Sequence, residues 1–238
     1  PFTNMSGNPD DEYFSDGMTE QIITNLANVP NMKAIARTSV MQFKNSTKTI
    51  KQIAEELAVT HILEGSVRRT GNKIRVTAQL IKAEDGFHLW AKDFDRQLKG
   101  IFEVQDDISN AIVGALEINL TKEKKALLSK RYTENVEAYQ FYLKARYHWA
   151  KFELRKVIEY ANQAIAIEPN YAPAYAILAA SHSQLPYLEE IPVDEELSKA
   201  KSADTRALEI DRSVEHAHGA LGWIKGFYEW DQAGAEQA

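Results

Sequence analysis

Two short segments, AIAIEPN at 164–170 and ALEIDRS at 207–213, carry one pattern of small and branched apolar residues running into a turn. A pattern that recurs commits a chain to stacked units, because each unit can bury its apolar face only against its neighbour. Pro169 and Arg212 occupy the same place in the two segments and lie 43 residues apart. That spacing is one 34-residue helix–turn–helix repeat plus an insertion of about nine residues. Such repeats place small residues near positions 8, 20 and 27 and a proline near 32. Counting back from Pro169 puts Ala145, Val157 and Ala164 on those positions, and counting back from Arg212 puts Ala200 and Ala207 on 20 and 27. Counting forward from Arg212 brings Leu221 and Gly222 to positions 7 and 8, where the pattern asks for Leu-Gly.

The register also decides how EHAHGALGW, residues 215–223, is to be read. Its two histidines are two apart, about 200° around a helix, so both cannot face one metal ion. A zinc-binding pair on a helix needs a spacing of four. The stretch is therefore the first helix of a third repeat, and no metal ligands are expected. Groove-facing positions 2, 5, 9 and 12 of each first helix give Tyr139, Tyr142, Arg146 and Trp149, then Ser183, then His216 and Trp223. Tyr, Trp and Arg are the residue types enriched at interaction hot spots. Packing against a neighbouring repeat is the competing reading for each of them. The insertion falls in SQLPYLEEIPVDEELSK, where Pro186 and Pro192 are expected to break the helical run and acids cluster. It reads equally as a partner-contacting loop or as a solvated connection.

Residues 1–121 follow a different grammar, alternating between helical and strand signals. DDEYFSDGMTEQIITNLANV spaces Phe14, Met18, Ile22, Ile23 and Leu26 for a helix, and TIKQIAEELAV predicts a second one with Thr49 as its N-cap. MKAIAR is a short strand candidate. Ile74, Val76, Ala78 and Leu80 alternate strictly with Arg75, Thr77 and Gln79, as in a half-buried strand. With turns at Gly71-Asn72 and Glu84-Asp85-Gly86, residues 61–95 predict a three-stranded antiparallel meander. A helix over IFEVQDDISNAIVGALEINL closes this half.

The chemistry of active sites is hard to find in the pattern. No GxGxxG, Walker or Gly-x-Ser-x-Gly sequence is present. Glu55-Glu56 and Asp106-Asp107 are helix neighbours about 100° apart, poorly placed as a carboxylate dyad. Arg68, Arg69, Lys73 and Arg75 flank a hairpin turn; they read as a solvated edge rather than a phosphate site. Trp90 and Phe94 share one strand face and read as core. A net charge of −6 disfavours nucleic acid and anionic membrane as partners. The absence of cysteine removes disulfides and thiolate chemistry together.

Beyond composition, the run from EGSVRR to LWAKDFDR, with PFTNMSGNPDDEYFSDGMTEQIITNLANV before it, resembles the TolB amino-terminal-like domain of bacterial signalling proteins. YLKARYHWAKF and KVIEYANQAIAIEPNYAPAYAILA are similar to the tetratricopeptide region that follows that domain. The resemblance covers nearly the whole chain. It implies a parent carrying an adenylate or guanylate cyclase, winged-helix or protein kinase domain, often with a membrane helix between, and it supplies no catalytic residues.

The expectation is thus an α/β (or α+β) sheet domain at 1–121 whose first strand is truncated, a helical linker at 122–133, and an all-α tetratricopeptide array at 134–238. Its repeats are expected at about 138–171, 172–214 and 215–238, the last incomplete. The expected function is that of a non-enzymatic interaction region binding a peptide or protein in the repeat groove, with no cofactor, no metal and no nucleic acid. A small-ligand sensor regulating an attached output domain is the alternative. The location is either the periplasmic side of a membrane-anchored bacterial parent or the cytoplasm, with membrane contact only through a segment outside 1–238.

Overall fold

The structure is a computed structural model, and it describes residues 1–30, 32–118, 120–121, 128, 131–214 and 217–228, with backbone alone at 217, 218 and 221. The chain divides into two compact units, Pro1–Lys130 and Arg131–Ala238.

The first unit is built on a mixed sheet of four strands in the order β1-β2-β3-β4. Strand β1 (Phe2–Asn4) runs parallel to β2 (His61–Thr70), and β2, β3 (Lys73–Lys82) and β4 (His88–Gln97) form an antiparallel meander. The meander extends two residues beyond the span read from the sequence. Alternation along β3 sends Ile74, Val76, Ala78 and Leu80 into the core and leaves Lys73 and Arg75 exposed. Val67, Val76 and Phe94 lie side by side across three strands, all buried. Helices α1 (Glu12–Ala27) and α4 (Ile101–Ala115) supply the other half of that core through Phe14, Met18, Ile22, Ile101, Val104, Ile108 and Ile112. A two-layer arrangement of this kind needs one apolar sheet face and one apolar stripe per helix.

Gly65 lets β1 join the sheet. A Cβ there would stand 2.2 Å from the carbonyl oxygen of Thr77 and 2.7 Å from the ring of Phe2. The short helix α2 (Arg37–Met41) is held to α1 by charge, with Arg37 3.5 Å from Glu20 and Lys44 bridging Glu12 and Asp16. Helix α3 (Ile50–Leu57) opens on a complete capping box: Thr49 accepts from the amide of Gln52, whose side chain accepts from that of Thr49.

The strand expected at MKAIAR does not form. Residues 32–36 have no strand pairing, and Ala36 turns the chain into α2. Extended, apolar sequence becomes a strand only where a neighbour completes its hydrogen bonds. Of the linker expected at 122–133, residues 122–127, 129 and 130 lie outside the described residues. Leu128 is buried beside Val29 and Val113 of the first unit.

The second unit is a run of antiparallel helices: α5 (Val136–Trp149), α6 (Leu154–Ile167), α7 (Ala172–Leu188), α8 (Val193–Ile210) and α9 (Ala217–Phe227). Asn135 caps α5 by accepting from Glu137 and Ala138. The alanines and valine picked out by the repeat register mark where helices touch. Ala145, Val157, Ala164, Ala200 and Ala207 have no solvent exposure, and a larger side chain at any of them would push two backbones apart.

The helical run breaks at residues 189–192, between Pro186 and Pro192, as expected from the sequence, while the residues on either side of the break are helical. Helices α7 and α8 have 17 and 18 residues, against 14 and 14 for α5 and α6, so the added length extends both arms of one hairpin. Pro186 lies inside α7 rather than ending it. A proline there has no N–H to give to the ladder, and the helix ends two residues beyond it. Pro192 does sit at a boundary, as the N-cap of α8.

Candidate functional site

The first helices of the two hairpins, α5 and α7, and the helix that follows them, α9, carry the residues singled out from the sequence. Four of those side chains lie on α5. Tyr139 is buried, and Tyr142 and Trp149 are half-buried with their rings against the cluster of Ala145, Val157, Ala161 and Ile177. The Tyr142 ring meets that of Tyr171 at 5.2 Å between centroids. Arg146, one turn further along α5, reaches the Tyr142 hydroxyl at 3.4 Å. Burial first, then the neighbouring phenols of Tyr142 and Tyr139, raises the pKa of the Tyr171 hydroxyl well above its ordinary value, against an opposing pull from Arg146. Three phenols and one guanidinium thus gather where α5 meets the start of α7. Tyr171 is the member that spacing missed; its only sequence signal is its place in NYAPAYA, at the turn between hairpins.

The remaining candidates behave differently. Ser183 is buried and turns inward, its hydroxyl donating to the carbonyl of Ala180 at 2.9 Å. Tyr139 and Ser183 are therefore closed to a docked chain: groove position on a helix fixes direction but not depth, and both lie under neighbouring side chains. His216 lies outside the described residues. Trp223 is half-buried, stacked on Phe227 at 3.9 Å and edge-on to Tyr187 at 6.5 Å. Its indole Nε1 is buried and has no acceptor among the described residues.

The lengthened hairpin holds a polar contact that spacing could not reveal. His182 on α7 and Glu196 on α8, both buried, meet at 2.5 Å, and Lys199 joins Glu196 at 2.8 Å. Burial pushes the Glu196 carboxyl upward, but the hydrogen bonds from Lys199 and His182 outweigh it and hold the group below the usual carboxylate range.

In the first unit, two of the four basic hairpin residues, Arg69 and Arg75, are engaged within the fold, while Arg68 and Lys73 are exposed. Arg75 forks onto Asp95 at 2.7 and 3.0 Å, and Arg69 reaches the Tyr13 hydroxyl at 3.0 Å and Asp11 at 3.5 Å. Phe94 is buried against Trp90, 6.1 Å between rings. Among the described residues no three His, Asp or Glu side chains gather as a metal-binding set, and no helix is long and apolar enough to cross a membrane.

No known family model matches the chain. It is similar to a protein of Rhizobium meliloti (strain 1021) named "Putative adenylate cyclase 3", with 35% identity over 243 aligned residues. The alignment takes in 98% of this chain and 41% of the relative, so the chain spans about two fifths of that protein's length. This likeness fits a parent of the signalling type. It also corrects the expectation that the chain is not an enzyme, because the relative that aligns across nearly all of it carries the name of one. The expectation rested on missing motifs within 238 residues, and motif absence is weak ground when the aligned relative is more than twice as long.

Proposed function

We propose that the chain belongs to an adenylate cyclase of the signalling type, in which a TolB amino-terminal-like unit is followed by tetratricopeptide repeats that dock a protein or peptide. The likeness to the Rhizobium protein supports the cyclase half of this reading. The order of a mixed sheet unit followed by stacked helix pairs supports the domain half. For docking, the observation that carries the reading is Arg146 beside the phenol of Tyr142 on α5, with Tyr171 packed on Tyr142 from the start of α7. A guanidinium offers donors only, and aromatic rings around it lower the local dielectric, so a carboxylate of the incoming chain is the group held best.

Two experiments test the halves separately. The whole parent protein should form cyclic AMP from ATP, and a purified parent that forms none removes the cyclase assignment. A short acidic peptide should bind residues 1–238, and Arg146→Glu should weaken it by about tenfold or more, the loss expected for a charge-assisted contact. Unchanged affinity in the folded variant overturns the docking site.

A further inference from the structure

Buried hydroxyls in the second unit find partners close by. Ser181 donates to the carbonyl of Ile177 at 2.7 Å, Ser183 donates to that of Ala180, and Thr133 accepts from the amide of Asn135. Tyr171 is buried as deeply, at 2% exposed, yet its hydroxyl has no hydrogen-bond partner among the described residues. A buried phenol ordinarily has its hydroxyl matched, because an unmatched donor forfeits the bonds it made to water. An unmatched one beside a candidate binding site is ready for a partner from outside the fold.

The ring itself is firmly placed. Tyr171 is the N-cap residue of α7; its amide donates to the carbonyl of Glu168 at 3.1 Å, and its own carbonyl accepts from Ala174 at 3.0 Å. Ala138 of α5, Ala164 of α6 and Ala174 of α7, all without exposure, pack with it in one cluster, and the Tyr142 ring lies 5.2 Å away. A side chain set among three helices keeps one direction, so its hydroxyl is positioned before any ligand arrives. The groups that act on that hydroxyl are Tyr142, Tyr139 and Arg146, which puts it at the candidate site, and the one charge among them is positive. Burial keeps the phenol protonated, so it stands as a donor.

We infer that the Tyr171 hydroxyl is a second binding donor of the Arg146 site, and that the two together hold one side-chain carboxylate of a docked acidic peptide. The inference rests on the docking reading of Arg146 and deepens it. A carboxylate has two oxygens that accept, so the guanidinium takes one and the phenol the other. Arg146 lies on α5 and Tyr171 at the start of α7, so the acid is gripped across two hairpins instead of by one helix. A guanidinium on a long side chain can follow an acid over a range of positions, whereas a fixed phenol admits few. Tyr171 thereby sets where along the groove the acid sits. The free protein carries the cost, since it buries a hydroxyl that its own fold does not use.

The probe is a peptide of alternating glutamate and alanine, capped at both ends, compared with its glutamine and alanine counterpart. Fluorescence anisotropy with residues 1–238 should show tighter binding of the glutamate peptide. Tyr171→Phe should weaken that binding by about tenfold, as for a charge-assisted hydrogen bond, and should change the glutamine peptide by less than about twofold. The substitution keeps the ring and removes only a hydroxyl left unmatched in the free fold, so the urea midpoint should stay level or rise. Because both donors meet one carboxylate, Arg146→Ala combined with Tyr171→Phe should lose less affinity than the product of the two single losses. The inference is overturned if Tyr171→Phe leaves the glutamate peptide unaffected, if it weakens both peptides alike, if it lowers the urea midpoint, or if the two losses multiply. Loss with Arg146→Glu but not with Tyr171→Phe removes Tyr171 and leaves the Arg146 site standing, whereas loss with neither removes both.

Discussion

Replacing Phe152, which stands at a φ of +56°, by glycine should make the second unit more stable. A side-chain-bearing residue in the left-handed region costs roughly 1–2 kcal/mol, which glycine does not bear. Against this, glycine gives the unfolded chain more freedom, about 0.5–1 kcal/mol. The lost ring contacts are few, because the side chain is 68% exposed. The balance is a gain of about 0.5–1 kcal/mol, or roughly 2–5 °C in melting temperature for a unit of this size. Urea unfolding in a Trp90→Phe background would read it, since Trp149, Trp223 and Trp230 then report on the second unit alone. The midpoint should rise with an unchanged slope. Phe152→Ala keeps the strain and removes the ring, so it should fall within about 0.5 kcal/mol of the parent. If glycine destabilises the unit, or if alanine matches glycine, the strain argument fails.

Gly65→Ala should destabilise the first unit by about 1–3 kcal/mol in urea unfolding, because the blocking atom is the backbone oxygen of Thr77, which cannot rotate away. Thr49→Ala removes the capping box and should cost about 1 kcal/mol, seen as several-fold faster hydrogen exchange in the first turn of α3. Glu196 has a folded pKa below its ordinary 4.5, so its ionised form stabilises the fold. That contribution is complete above the ordinary value and is lost as pH falls through the lower folded value. Glu196→Gln should therefore lower the urea midpoint at neutral pH and flatten its decline in acid; a variant with the parent's acid profile would refute this.

The sheet was legible because burial on one face writes itself into alternation, and β3 shows this residue by residue from Ile74 to Leu80. The N-cap at Thr49 was legible for a similar reason, since it is a local contact, and the structure completes it to a box with Gln52. The small residues at helix contacts were legible through recurrence: Ala145, Val157, Ala164, Ala200 and Ala207 are without solvent exposure, although Gly222, chosen by the same spacing, is half-buried. What failed depends on partners that local pattern does not contain. Residues 32–36 look like a strand but find no strand to pair with. Tyr139 and Ser183 were read as lining a groove, yet both are buried, because depth is set by what packs above them. Tyr171, His182 and Glu196 gained their neighbours only when helices distant in sequence came together.

The longer second hairpin gives the array an address. Its arms exceed those of the first by three and four residues, about one helical turn, or roughly 5 Å of height. Along a row of identical hairpins, a bound chain could slip by one repeat and meet the same contacts again. Between α5–α6 and α7–α8 the added turn breaks that equivalence, so the two hairpins are not interchangeable and the end of the second stands about 5 Å beyond that of the first.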